Sequence, residues 1–330
     1  MTSADSNLDL SELYTFAIQL AKAAGEILKK ASTPSSRMTH TLHLEEKDSS
    51  VDIVTKTDTE IEAFIRTAIT TKYPTHAFLG EESYSASSEK KYLIDDITPT
   101  WCVDPLDGTV NFTHLFPMCC ISIGFILAGV PVVGVIYAPL LGQLFSARRG
   151  YGAFLNEIQR LPLVPGIPLP KDAPKGCLFA CEWGKDRRDV EGGNLCRKVE
   201  SFVNMATEIG GRGGKGGMVH GVRSLGSAAM DLAYTAMGAV DIWWEGGCWE
   251  WDVAAGICIL EEAGGLVTTA NPPANWETAE VERARLGGRL YLAVRPAADT
   301  QGETGRQAQE RIVKEVWRRV KALDYSRPRP

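Results

Sequence analysis

Asp104 and Asp107 stand close together in the stretch Trp101-Cys102-Val103-Asp104-Pro105-Leu106-Asp107-Gly108-Thr109-Val110-Asn111-Phe112. Two carboxylates this near repel each other unless a cation or a proton lies between them. With the Leu106 carbonyl between them and the Thr109 hydroxyl just beyond, the stretch offers oxygen donors only. Such a set on a short turn suits Mg²⁺, which binds through a few carboxylates and keeps positions for water and phosphate. Pro105 fixes φ and Gly108 permits close backbone approach. The competing reading is an Asp-rich turn whose side chains bond their own backbone.

Further acids fall at segment boundaries. Glu81-Glu82-Ser83 follows the apolar run Ala77 to Gly80, Glu245 ends another apolar run, and Asp252 opens a helix of small residues. Each alone reads as a solvated turn or an N-cap. Together they suit one metal-lined cleft between two domains. Other patterns carry less. Gly211, Gly213 and Gly216 satisfy G-x-G-x-x-G, but no strand and helix flank the run, so a flexible surface loop is expected. The histidines show no metal-ligand spacing, and Ser224 and Ser227 lie in no nucleophile elbow. Cys102, Cys119, Cys120 and Cys258 lie in apolar runs and read as reduced, structural thiols.

The elements that must position these acids begin with an amphipathic helix from Asp9 to about Lys30, with Asp9 and Glu12 as a capping box. A strand-like run from Val51 to Asp58 precedes a second helix with Ile61, Phe64, Ile65, Ala68 and Ile69 on one face. After Phe112, strands over Ile121–Leu127, Val132–Tyr137 and Gln143–Ala147 read as an antiparallel meander. The Pro-rich stretch 161–174 can be neither helix nor central strand and is the candidate domain junction. Beyond it strand and helix patterns alternate. The expectation is an α+β domain over 1–160 carrying the metal turn and an α/β domain over 175–330 carrying substrate contacts.

A chain of 330 residues suffices for two domains, and 44% hydrophobic with 23% charged residues is ordinary for a soluble enzyme. The net charge of −6 argues against nucleic acid as a partner. No run approaches the ~20 apolar residues of a membrane span. The polar start from Met1 to Asn7 lacks a basic-then-apolar signal pattern, so a cytoplasmic location is expected.

Three of these stretches, in order, resemble the signatures of the inositol monophosphatase family: Gly80-Glu81-Glu82-Ser83, Trp101 to Phe112, and Trp251-Asp252-Val253-Ala254-Ala255-Gly256. Val51 to Asp58 and Gly221 to Ala229 are similar to further family segments. The likeness spans roughly residues 9 to 295. The Pro-rich stretch, the glycine run and the C-terminal extension resemble fungal members associated with quinate metabolism.

The resemblance implies a layered α-β-α-β-α sugar-phosphatase fold, a homodimer, and hydrolysis of a small phosphate monoester with two or three Mg²⁺ ions and sensitivity to Li⁺. It places Glu81, Asp104, the Leu106 carbonyl and Thr109 around a first ion, and Asp104, Asp107 and Asp252 around a second. Thr109 and Glu81 would orient the attacking water, with Asp58 accepting a hydrogen bond from Thr109. Gly108 and Thr109 N–H groups would hold the phosphate. Asp107, Gly226, Ser227, Ala228, Glu245 and Asp252 would contact the substrate, and Lys47 would be the basic residue of a mobile loop. Two departures from the family pattern stand out: Glu250 just before Asp252, expected to add negative charge beside the pocket, and Trp243, Trp244 and Trp249, expected to narrow it.

The function this implies is hydrolysis of myo-inositol 1-phosphate by metal-activated water. The alternatives are a phosphatase for 3′-phosphoadenosine phosphate, fructose bisphosphate or another sugar phosphate, and a non-catalytic metabolite-binding relative, which a broken ligand set would favour.

Overall fold

The computed structural model describes residues 8–33, 45–49, 52–54, 56–87 and 92–327. Helix α1 (Leu10–Ala31) and helix α2 (Lys56–Lys72) form the first layer. Asp9 caps α1, accepting the Ser11 N–H at 2.8 Å. Glu12 does not complete the expected capping box, because Lys72 (2.9 Å) and the Tyr73 hydroxyl (3.2 Å) on the α2 side take its carboxylate. The first residues of α2 also absorb the end of the expected strand run. Among the described residues of that run, β2 (Asp52–Val54) is extended, paired with β1 (Glu45–Ser49).

The second layer is a seven-stranded sheet in sequential order: β3 (Ala77–Gly80), β4 (Thr100–Asp107), β5 (Cys120–Leu127), β6 (Val130–Ala138), β7 (Gln143–Arg148), β8 (Gly152–Leu155) and β9 (Gln159–Arg160). Only β3 and β4 run parallel, so the antiparallel meander expected after Phe112 is present. Alternation sorts its side chains by face. Ile121, Ile123, Phe125, Val133 and Val135 meet Leu13, Ala17, Leu20 and Ile65 of α1 and α2. Ile136, Ala138 and Phe145 point the other way.

On that other face lie α6 (Ala228–Met237) and α7 (Glu250–Glu262), which follow α3 (Glu81–Ser85), α4 (Thr109–Thr113) and α5 (Asn194–Ala206) in the chain. Both pack between this sheet and a second one, ordered β11 (Gly221–Arg223), β10 (Leu178–Ala180), β12 (Ile242–Gly246), β14 (Leu290–Val294), β13 (Leu266–Thr268). Here β10 is parallel to β11 and β12, whereas β14 is antiparallel to β12 and β13. Helix α8 (Gly305–Trp317) covers its outer face through Ile312, Val313 and Val316, against Trp244, Leu292 and Val294. The layers run α-β-α-β-α.

A pair of glycines sets how deeply α7 sits. Gly124 of β5 lies opposite Gly134 of β6. A Cβ on Gly134 would stand 2.3 Å from the Ala255 carbonyl oxygen, and one on Gly124 2.9 Å from the Ala254 methyl group. The backbone of α7 therefore rests directly on the sheet, and Asp252 is carried down with it. Gly134→Ala should push α7 outward at a cost of about 1–3 kcal/mol. A lower thermal midpoint measured by calorimetry is the expected result.

The glycine run behaves differently from the expected free loop. Residues Gly211–Gly214 make a tight turn with Arg212 and Gly213 in the left-handed region. The turn is tied to α8 by the Arg318 guanidinium on the Gly214 carbonyl at 2.6 Å, and to α5 by Arg212 on Asn204 at 3.2 Å. Among the described residues no helix is long and apolar enough to cross a membrane.

Candidate active site

Strand register brings the first two acids together. Gly80 of β3 pairs with Val103 of β4, so the next residues, Glu81 and Asp104, emerge side by side. The aspartates do not lie on a turn beyond the strand, as the sequence suggested. Strand β4 runs on to Asp107, and its pairing with β5 shifts register between Asp104 and Asp107. A bulge of this kind re-aims side chains at a strand end. The turn comes one residue later, at Gly108 (φ +87°), which delivers Thr109 to the start of α4.

Each acid is held by its own donors. Asp104 accepts the Leu106 N–H at 2.9 Å. Asp107 accepts the Ser227 hydroxyl and the Ala229 N–H, both at 2.7 Å, which links β4 to the start of α6. Ser227 caps that helix by accepting the Met230 N–H. Asp252 is not the N-cap of α7 but sits inside its first turn, where it accepts the N–H of the capping Trp249 at 2.7 Å. The Thr109 hydroxyl lies 3.2 Å from Asp58 and 3.1 Å from the Leu106 carbonyl. Asp58 is itself buried in the first turn of α2.

These residues converge on one cavity of about 350 Å³. Glu81, Asp104, Leu106, Asp107, Gly108 and Thr109 line it from the first sheet. Gly226, Ser227, Ala228, Glu245 and Asp252 line it from the far side. Asp58 stands behind Thr109, and the side chain of Lys47 lies outside the described residues. Burial, reinforced by repulsion from Glu81, Asp107 and Asp252, holds Asp104 well above the usual carboxylate range. Burial raises Asp107 to about 6. Burial, then the charges of Asp107 and Glu81, raise Asp252 to about 8.

The donor set fits a hard divalent cation, being oxygen-only and dense in negative charge that a cation would relieve. Among the described residues no three His, Cys, Asp or Glu side chains already form a closed ligand group. Three of these carboxylates are instead turned toward the N–H and O–H donors named above.

Several supporting residues escaped the sequence reading. Glu62, one helical turn after Asp58, accepts the Glu82 N–H (2.6 Å) and the Ser83 N–H (2.9 Å), so it anchors the segment that bears Glu81. Glu182 accepts the Ser224 hydroxyl (2.6 Å) and the Leu225 and Gly226 N–H groups (2.6 and 2.9 Å), which shapes the turn before Ser227. Like Glu81, it is an acid at the end of an apolar strand, and that signal was available. Lys198, fully buried in α5, donates to Glu245 and to the Glu182 carbonyl. Nothing in its helical sequence context marks it.

Both expected departures resolve differently. Glu250 adds no charge to the cavity: it is buried and ion-paired to Arg327, which also donates to the Tyr84 hydroxyl at 3.0 Å. Trp243 and Trp244 do not narrow the cavity either. Neighbours on a strand face opposite ways, so one is buried between the sheets and the other under α8. Trp249 stacks beneath Arg289 and Arg327 and is not part of the cavity lining.

The chain as a whole has relatives of known family. The profile of the Inositol monophosphatase family matches residues 9–321. A Neurospora crassa protein named Quinic acid degradation cluster protein x is 64% identical over 330 residues, 97% of each chain. Inositol monophosphatase 2 of Saccharomyces cerevisiae is 40% identical over 85% of this chain and 87% of its own. The solved structure of inositol monophosphatase from Anabaena superposes with a TM-score of 0.68 at 28% identity, covering 95% of this chain and 98% of that one. Relatedness of this extent supports phosphatase chemistry, and the chain belongs to the inositol monophosphatase family.

Proposed function

We propose that this protein is a Mg²⁺-dependent phosphomonoesterase acting on a small polyol phosphate, with myo-inositol 1-phosphate as the first candidate. The observation that carries this reading is the convergence of Glu81, Asp104, Asp107 and Asp252 with the Leu106 carbonyl and Thr109 hydroxyl in one cavity. Those six groups would hold two or three Mg²⁺ ions. When bound, Mg²⁺ supplies positive charge against the phosphate oxygens and lowers the pKa of a coordinated water.

The remaining work falls to the chain. Thr109 has one hydroxyl proton, and directing it at Asp58 leaves an oxygen lone pair to accept from the attacking water. The Glu81 carboxylate, on the same cavity wall, is the second acceptor for that water and takes up its proton as the oxygen attacks phosphorus, while the bond from phosphorus to the ester oxygen breaks and that oxygen leaves as the alcohol, protonated by solvent. Gly108 and Thr109, at the start of α4 and in the cavity lining, would offer their N–H groups to the phosphate. Glu182 fixes the turn that presents Gly226, Ser227 and Ala228 to the alcohol portion. The same reading extends to inhibition by Li⁺, a homodimer and a cytoplasmic location.

The test is phosphate release from inositol 1-phosphate, 3′-phosphoadenosine phosphate, fructose bisphosphate and other sugar phosphates, with Mg²⁺ and with the ion chelated. Turnover of at least one ester that disappears on chelation is expected. Absence of turnover for every ester in folded, Mg²⁺-loaded protein would sink the enzyme reading. The relative named for quinic acid degradation makes phosphorylated ring polyols a natural extension of that panel.

A further inference from the structure

Besides its carboxylates, the cavity is lined by three cationic side chains, Lys185, Arg187 and Arg289. Of the acids that line it, Glu245 and Glu182 are already engaged within the protein. Glu245 is buried and accepts from the Lys198 ammonium, the Gly246 N–H (2.9 Å) and the Glu182 N–H (2.8 Å). The Glu182 carboxylate is occupied by the Ser224 hydroxyl and two backbone N–H groups. The charge of Glu245 is therefore matched inside the protein.

Arg289 differs from all of these. Its guanidinium is held in place by donation to the Gly247 carbonyl (2.9 Å) and the Ser326 carbonyl (3.1 Å), and it lies 3.8 Å from the ring centre of Trp249. Two of its five N–H donors are used in this way. Among the described residues no carboxylate forms an ion pair with it, and its Nε is buried without a hydrogen-bond partner. The hydroxyl of Tyr325, on the same cavity wall, is also buried and unpartnered. A rigid, stacked guanidinium with spare donors is suited to planar recognition of an oxyanion. A neutral polyol offers it no charge.

We infer that the substrate carries a second anionic group, a carboxylate or a further phosphate, beside the phosphate that is hydrolysed, and that Arg289 reads it with the Tyr325 hydroxyl alongside. This rests on the phosphomonoesterase reading for the first anionic group only. Lys185 and Arg187 at the exposed rim add to the local positive potential. Arg289 is thus a specificity-determining residue.

Three probes test it: inositol 1-phosphate, an inositol bisphosphate, and a phosphorylated polyhydroxycyclohexane carboxylate. Each is assayed as an ester for kcat/KM in Mg²⁺. Each is also prepared as its non-hydrolysable phosphonate and measured for affinity by calorimetry under the same conditions. One of the doubly anionic probes is expected to exceed inositol 1-phosphate by ten- to a hundredfold in both measurements, the range of a charge-assisted hydrogen bond pair. Which of the two does so identifies the second group. In Arg289→Gln the preference should collapse below threefold, and Arg289→Lys should restore part of it. A merely structural role would lower all probes together and leave the ratio intact, which overturns the inference. Equal handling of all three probes by the parent protein overturns it too while leaving the phosphatase reading in place. A preference in affinity without turnover of any ester would do the reverse.

Discussion

Asp104→Asn is expected to lower kcat on the order of a thousandfold, because it removes a carboxylate placed to hold both proposed ions and to balance charge at the phosphate. The same substitution should make the metal-free protein more resistant to heat. Asp104 is buried beside Glu81, Asp107 and Asp252, and those charges oppose its ionisation. Asn keeps the shape and discards the repulsion. The pH dependence has a definite sign. An aspartate is unperturbed near ~3.9 in an unfolded chain. Asp107 at about 6 and Asp252 at about 8 hold their protons more tightly when folded. Their contribution to stability is therefore complete at acid pH and lost as pH climbs through these values. Thermal midpoints of metal-free parent protein should fall between about pH 5 and 8.5, less steeply in Asp104→Asn. Saturating Mg²⁺ should offset the fall in the parent and do so least in the variant. A parent protein whose metal-free stability rises over that range would contradict this account of the site.

Lys198→Met should be the most destabilising single change behind the cavity wall that carries Glu245. Lys198 and Glu245 are both buried, and the ammonium is the only full positive charge that pairs with this carboxylate among the described residues. Removing one member of such a pair leaves an uncompensated ion and costs about 3–5 kcal/mol. Burial already raises Glu245 above its ordinary range while Lys198 pulls it back, so the variant should shift Glu245 further upward. The double variant Lys198→Met with Glu245→Gln should regain most of the loss, since neither charge then remains. Denaturant titration of the two single variants and the double distinguishes this from a simple packing defect, for which the losses would add.

The features legible in the sequence were those with local signals. Apolar runs of alternating or helical period gave the first helix and the strands of the meander to within a few residues. The acids that line the cavity were conspicuous because they terminate such runs. Less legible was anything that depends on partners distant in the chain. Glu12 looked like a capping residue until α2 supplied Lys72 and Tyr73. Glu250 looked like a pocket charge because its partner, Arg327, lies 77 residues away. The bulge that keeps Asp104 and Asp107 within β4 depends on pairing with β5. Lys198 and Arg289 are ordinary residues by sequence and acquire meaning only from what surrounds them. The glycine run misled for a related reason: its composition suggests freedom, while Arg212 and Arg318 hold it to its neighbours.

The route by which the cavity wall is completed bears on the order of assembly. Arg327 reaches Tyr84 across 243 residues of sequence, and Tyr325 covers Lys198 from the same short segment. Segment 324–327 belongs to no helix or strand and docks on surfaces supplied by β12, α3 and α5. The segment follows α8, which packs on the second sheet, and has no helical or strand hydrogen bonds of its own to hold it there. Both sheets and the helices between them can reach their final packing before this strap is in place. The part of the cavity wall that Tyr325 supplies is therefore expected to close after the rest, and to be the part that local fraying would reopen without disturbing the cores beneath it.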